Sequence, residues 1–359
     1  MLKQKTAIRL KGDLSMSERL NFACDYNQGA HPAILRRMLE NNLVKSGVYG
    51  DDAFSESARA KIREACKAPE ADVWFLVGGT QTNAAVLDSV LRPFEGVISA
   101  NTGHICIHEA GAIERGGHKV LALPGKAGKI SAADIRACWD TWYSDGNRTH
   151  VVKPGAVYLS LPTEVGTLYS LAELEAISAV CREKGLCLYV DGARLAYSLA
   201  CHENDVTLPD LARLCDVFYI GGTKCGSLLG EALVFPKHDT VPDFFSIIKQ
   251  HGAVLAKGFV AGLQFDTLFT DNLYAEIGRT AITAAERIRQ ALRDKGYTLA
   301  FDAPTNQIFV LLDEATLASL SEKVEMSFWD KPDPDHTTMR FVTSWATTRE
   351  EVDQLIELL

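Results

Sequence analysis

Between about Val73 and Phe235 the sequence repeats one pattern: a short apolar run, a polar or glycine-rich break, then a longer amphipathic segment. The runs at residues 73–77, 97–99, 119–122, 156–161, 186–190 and 217–220 are short and rich in β-branched and aromatic residues, which favours strands. Residues 132–143 have helical spacing. Residues 171–184 set Leu171, Leu174, Ile177 and Cys181 on one stripe before Gly185 stops the helix. Strands that alternate with helices predict an α/β fold with a mostly parallel central sheet covered by helices on both faces.

In such a sheet a ligand sits outside the carboxyl ends of the strands. The polar residues that follow strands here are Gly79-Thr80-Gln81, Asp191-Gly192-Ala193-Arg194 and Gly221-Gly222-Thr223-Lys224. All three are expected to converge on one crevice. After Pro242 the texture changes to consecutive helices at residues 254–269 and 274–295. Strand candidates follow at 308–312 and 339–343, and a last helix at 349–359. The expected division of the 359 residues is a large domain over 1–245 and a smaller C-terminal α+β domain over 246–359, with the N-terminal segment touching the small domain.

Composition narrows the function. The net charge is −9, from 46 acidic against 37 basic residues, with no basic block, so nucleic-acid binding has no electrostatic footprint. No window approaches the ~20 apolar residues of a membrane span. The first residues carry no apolar signal core, and nine scattered cysteines without C-x-x-C spacing suggest reduced thiols, so a cytoplasmic protein is expected.

Lys224 follows a strand with no charged residue. Partial desolvation there favours the neutral amine that forms imines, although a lone loop lysine is usually just exposed. Asp191 ends another strand, where it either caps the next helix or faces a cofactor ring nitrogen. Gly78-Gly79-Thr80 opens a helix, whose N-terminal N–H groups would bind a phosphate or simply make a cap. Arg194 and Arg340 are candidates to clamp a carboxylate, with a surface position the plain alternative for Arg340. His104 and His108 have i,i+4 spacing but lack the glutamate that a zinc-protease motif places after the first histidine. His104 suits ring stacking or acid–base work, and His108 a structural place.

Taken together, these stretches resemble the threonine aldolase family of pyridoxal-phosphate (PLP) lyases with the aspartate-aminotransferase-like fold (PLP fold type I). The matching segments are Gly47 to Asp52, Gly79 to Asn83, His104 with Glu109-Ala110-Gly111, Asp191 to Arg194, Thr223-Lys224 and Arg340 to Thr343. The resemblance implies pyridoxal 5'-phosphate carried by Lys224, with Asp191 at its pyridine nitrogen, Gly79 and Thr80 at its phosphate and His104 stacked on its ring. It further implies Arg194 and Arg340 at the substrate carboxylate. Tyr49 would line the site from this chain or from a neighbouring subunit, because the family assembles as homodimers or homotetramers. Cys24-Asp25 stands where many members carry Ser-Asp, which puts Cys24 at the substrate. Pro162-Thr163-Glu164 and Ala256-Lys257-Gly258 also depart from the common pattern, toward a phenylserine aldolase-like branch.

The activity so implied is retro-aldol cleavage of a β-hydroxy-α-amino acid (threonine, allo-threonine or phenylserine type) to glycine and an aldehyde. No metal is expected. The rival readings are another PLP-dependent β-eliminating lyase, an aminotransferase, or a PLP-binding protein without turnover.

Overall fold

The computed structural model describes residues 19–359. Seven strands form the central sheet, in the spatial order Asp72–Leu76, Glu231–Phe235, Val217–Gly221, Cys187–Asp191, Lys153–Ser160, Glu95–Ala100 and Val120–Leu123. Every neighbouring pair is parallel except the two made by Glu231–Phe235, which runs against both its neighbours. That antiparallel strand is absent from the sequence reading. Its residues EALVF follow a glycine-rich loop and open on a charge, and only pairing on both sides buries all five.

Side chains alternate across this sheet as the pleat requires. Val157, Leu159, Leu188 and Val190 pack with Leu174 and Ile177 of the Leu171–Lys184 helix. Ala156, Tyr158, Tyr189 and Tyr219 pack on the opposite face with Ala85, Val86 and Leu87 of the Gly79–Val90 helix. The Leu171–Lys184 helix spans the residues its periodicity predicts, because Ser170 and Glu173 form a reciprocal capping box and Gly185 adopts φ 66° beyond its end.

A second sheet of four strands has the order Ser327–Asp330, His336–Val342, Gln307–Asp313 and Thr298–Leu299, all antiparallel. Leu20–Asn21 pairs in parallel with Val324–Glu325, and Phe22 enters the core of this region. The helix expected from residue 254 begins at Phe259 instead. The carbonyl of Ala256 is taken by the Tyr49 N–H, and a Cβ on Gly258 would lie 2.4 Å from the Gly50 nitrogen. Residues 256–258 are thus held as a crossing point between two chain segments. Among the described residues no helix is long and apolar enough to cross a membrane.

The Leu273–Asp294 helix presses on the Leu195–Ala200 helix, which directly follows Asp191 to Arg194. Contact is made at Gly278, where an added Cβ would lie 2.2 Å from the Ala196 carbonyl oxygen. Replacing a helical glycine by alanine ordinarily gains about 1 kcal/mol. Overpacking of this kind costs about 1–3 kcal/mol. Gly278→Ala is therefore expected to lower the thermal midpoint of the protein. A midpoint raised by calorimetry would show that the two helices have room to separate.

Candidate active site

The carboxyl ends of the central strands meet at a cavity of about 400 Å³. Its walls hold Gly78, Gly79 and Thr80 from the start of one helix, His104 and His108 from the first position and the C-terminal cap of a short turn of helix, Ser160 at the end of a strand and Glu164 beyond it, Asp191, Arg194 and Lys224. A second cavity of about 280 Å³ adjoins it, sharing Tyr26, His104, His108, Glu164, Arg194 and Lys224 and ending on Gln307, Trp329 and Arg340. The three glycine-bearing motifs of the sequence thus share one crevice. A larger cavity of about 610 Å³ lies elsewhere, lined mainly by apolar side chains such as Leu199, Leu268, Phe269 and Tyr274, and carries none of these groups.

Asp191 is buried at the end of its strand. Tyr158 and Asn83 donate to its Oδ2 at 2.6 and 3.1 Å, and the Ala193 N–H donates to Oδ1 at 2.9 Å. Burial alone would raise its pKa, but the His104 charge and the tyrosine and backbone donors outweigh it and hold the carboxyl below its ordinary value. Asn83 also donates to Glu109 Oε1 at 2.7 Å, and that same oxygen meets His104 Nδ1 at 2.6 Å. One amide therefore locks the carboxylate and the histidine ring into a single frame. Tyr158, Asn83 and Glu109 in these roles escape any pattern-based reading, since only the folded sheet brings them together.

Lys224 is half-buried, and its Nζ makes no hydrogen bond or ion pair with a described residue. It lies 5.8 Å from the Tyr26 ring centroid. Burial and the Arg194 charge push its pKa below the usual lysine range, against the pull of Asp25, Asp191 and Glu231. Glu231, also buried, accepts from the Gly222 N–H at 2.9 Å, and desolvation pushes its pKa up to about 7.

The two arginines differ. Arg194 is already forked onto buried Asp25, through Nε at 2.7 Å and Nη2 at 3.1 Å, and Asn306 also holds that carboxylate. It has one terminal nitrogen left rather than the open fork that the sequence suggested. Arg340 donates to Gln307 Oε1 at 3.0 Å and to Ser327 Oγ at 3.4 Å, while its buried Nε has no partner. It has no ion pair among the described residues, and burial together with Arg194 lowers its pKa. Such a cation suits an anionic ligand.

Cys24 makes no hydrogen bond with a described residue, lines neither cavity, and lies close enough to Arg340 to influence it electrostatically. Tyr49 lies outside both cavities, with Lys249 Nζ 4.3 Å from its ring centroid and 44% of the residue exposed. His108, given a structural place from sequence, instead lines both cavities beside His104, their ring centroids 5.7 Å apart.

These groups fit pyridoxal phosphate. The Gly79–Val90 helix has no side-chain cap at Gly78, so its first N–H groups are open to an anion. A Cβ on Gly79 would sit 3.0 Å from the Tyr219 hydroxyl, so a larger residue would crowd this end of the cavity. An amine whose pKa is lowered by burial, a carboxylate held in its ionised form and an aromatic ring held by Glu109 complete the set.

Known proteins resemble this chain in sequence and in fold. Residues 21–315 match the beta-eliminating lyase family. The low specificity L-threonine aldolase of Pseudomonas aeruginosa is 31% identical over 339 residues, covering 93% of this chain and 95% of that protein. A Leishmania major threonine aldolase structure superimposes with a TM-score of 0.91 at 42% identity, over 94% of this chain and 98% of that one. Thermus thermophilus aspartate aminotransferase, at 15% identity and a TM-score of 0.70 over 95% and 90% of the two chains, shares the fold.

The raised pKa of Glu231 has a measurable consequence in the cofactor-free protein. The folded state keeps this proton up to about pH 7, whereas an unperturbed glutamate releases it near 4.5. The carboxyl's contribution to stability is thus present at low pH and is lost as pH rises through that window. The stability difference between wild type and Glu231→Gln, followed by urea unfolding, should fall between about pH 4.5 and 7 and level off above. A flat difference across the window would mean that the carboxyl titrates normally.

Proposed function

The chain belongs to the beta-eliminating lyase family, and from that membership we propose that it is a PLP-dependent aldehyde-lyase cleaving threonine-type β-hydroxy-α-amino acids to glycine and an aldehyde. The observation that carries this reading is Lys224, an unpaired amine of lowered pKa on a cavity whose wall holds the ionised, buried Asp191. The threonine aldolase names of the relatives point the same way.

Pyridoxal phosphate, when bound, supplies an electron sink for the pair released at the substrate Cα. In our reading Lys224 offers its neutral amine to hold that group covalently, and the N–H groups at Gly79 and Thr80 bind its phosphate. Asp191, kept ionised by Tyr158 and Asn83, holds a proton at the ring nitrogen. His104, its orientation set by Glu109, would lie against the bound group's ring. Arg340 grips the substrate carboxylate with help from the free nitrogen of Arg194, and the β-hydroxyl proton leaves toward the wall formed by His104 and Glu164. Cys24 lines neither cavity and a thiol is in any case a poor donor, so carboxylate binding leans on the arginines. The site would thereby hold the amino-acid end firmly and tolerate both methyl and aryl β-substituents. We place the protein in the cytoplasm as a homo-oligomer, with Tyr49 facing a partner's site. The nine free cysteines agree with a reducing compartment.

The test is to supply threonine, allo-threonine and phenylserine to the purified, cofactor-loaded protein and quantify glycine and aldehyde. Equimolar release is expected, and Lys224→Ala should abolish it together with the absorbance of the covalently held cofactor. Ammonia with a 2-oxo acid would indicate elimination instead. Arg340→Ala removes charge-assisted hydrogen bonds of about 1.5–3 kcal/mol each, so KM should rise about 10- to 100-fold. The rise should be similar for threonine and phenylserine, which share the carboxylate. A rise confined to one substrate would place Arg340 at the side chain.

A further inference from the structure

We propose that Glu164 is the group that takes the proton from the substrate's β-hydroxyl. The inference rests on the lyase reading above and names the acceptor within that site. Glu164 follows the Lys153–Ser160 strand and is the one carboxylate among the described residues lining the cavity that ends on Arg340. Its position relative to Arg340 is fixed by Gln307, whose Oε1 accepts from Arg340 at 3.0 Å and whose Nε2 donates to the Glu164 carbonyl at 3.4 Å. A substrate held by its carboxylate at Arg340 therefore lies beside Glu164.

The two oxygens of Glu164 are used differently. Oε1 accepts from Ser160 Oγ at 2.5 Å and from the His104 N–H at 2.8 Å, which fixes the plane of the group. Oε2 accepts no hydrogen bond from a described residue, and it is absent from the fully buried, unpartnered polar atoms. It is thus the open oxygen of a side chain that lines both cavities. The other carboxylates nearby are committed. Both oxygens of Asp191 accept hydrogen bonds, and Glu109 lines neither cavity, its Oε1 held by His104 and Asn83 and its Oε2 fully buried. Glu231 holds the Gly222 N–H and lines only the first cavity.

The step balances within the substrate. As the Cα–Cβ bond breaks, Oε2 accepts the hydroxyl proton and the O–H electron pair becomes the second bond of the aldehyde carbonyl. The Cα–Cβ pair stays on the Cα side, and the proton returns to Cα. Glycine and an aldehyde account for every atom, and no oxidant or reductant is consumed.

Several charged and titratable groups surround Glu164. His104 and Cys106 face it from the short His104–Ile107 helix, Tyr158 from its own strand, Asp191 from the next strand and Tyr169 from the following loop. Across the cavity stand Lys224, Arg194, His108 and Arg340. Burial raises the carboxyl's pKa, Ser160 and a backbone bond oppose it, Asp191 adds to the rise and His104 counters it, with a net increase. A base of raised pKa loses activity as pH falls through that value.

The experiment is a pH profile of kcat and KM for aldehyde release by the holoenzyme, with glycine affinity measured in parallel by calorimetry. Glu164→Gln should lower kcat by about 10²–10⁴-fold and erase the acid limb, with KM little changed. Glycine lacks the β-hydroxyl, so its affinity should be unchanged. Ser160→Ala keeps the carboxylate but removes a donor that favours its ionised form, so the acid limb should move to higher pH. An acid limb and kcat retained in Glu164→Gln would overturn the proposal, as would a collapse of glycine affinity along with cleavage. If Glu164→Gln does not fold, an unmoved limb in Ser160→Ala overturns it alone. Wild-type protein that binds glycine yet releases no aldehyde would instead remove the lyase reading itself.

Discussion

A carboxylate buried at the end of the central strand must remain charged where burial favours its neutral form, and much of the site is organised around that cost. Asp191 meets it with donors from three directions: Tyr158 on the neighbouring strand, Asn83 on the helix behind, and the backbone beyond its own strand. Tyr158, Tyr189 and Tyr219 occupy one face of three adjacent strands, with ring centroids 5.6 and 6.4 Å apart along the row. The Tyr189 hydroxyl donates to Asn83 Oδ1 at 2.6 Å, which turns the Asn83 amide group toward Asp191 and Glu109. A closely connected polar network of this kind is rigid, and each group left unsatisfied in it is costly. The one loose end is the buried Glu109 Oε2.

The positive side of the site follows a different rule. Arg194 is neutralised within the fold by Asp25, a residue about 170 positions earlier in the chain, and Asn306 from the C-terminal sheet region fixes the same carboxylate. Arg340 and Lys224 have no such carboxylate partner. A partly buried arginine without a partner costs stability, and a partly buried lysine is pushed toward its neutral amine. Here both face the cavity, where a carboxylate and a carbonyl-bearing cofactor would relieve the cost. The fold spends one arginine on joining its segments and leaves a second arginine and the lysine for ligands.

The parts of the fold that rest on local periodicity were legible in the sequence. The Leu171–Lys184 helix, with its capping box and its glycine stop, needs no tertiary information, and the apolar runs at Val217–Gly221 and Cys187–Asp191 can be buried on both faces only in a covered parallel sheet. Because ligands bind at the carboxyl ends of such strands, Asp191, Lys224 and the Gly79–Thr80 turn were also legible as one crevice. The antiparallel Glu231–Phe235 strand was not, since strand direction depends on pairing partners rather than on composition.

Tertiary structure alone decided which charges are paired. The sequence offered two arginines as candidates for the region, but only the fold shows that Arg340 reaches it with an unpartnered Nε while Arg194 is forked onto Asp25. It likewise determined that a glutamate follows the Lys153–Ser160 strand, yet the contacts with Ser160 and His104 set the use of each oxygen. The reason is physical. Periodicity and caps are properties of neighbours along the chain, whereas desolvation and charge pairing act between groups that are tens to hundreds of residues apart and meet only when the sheet is assembled.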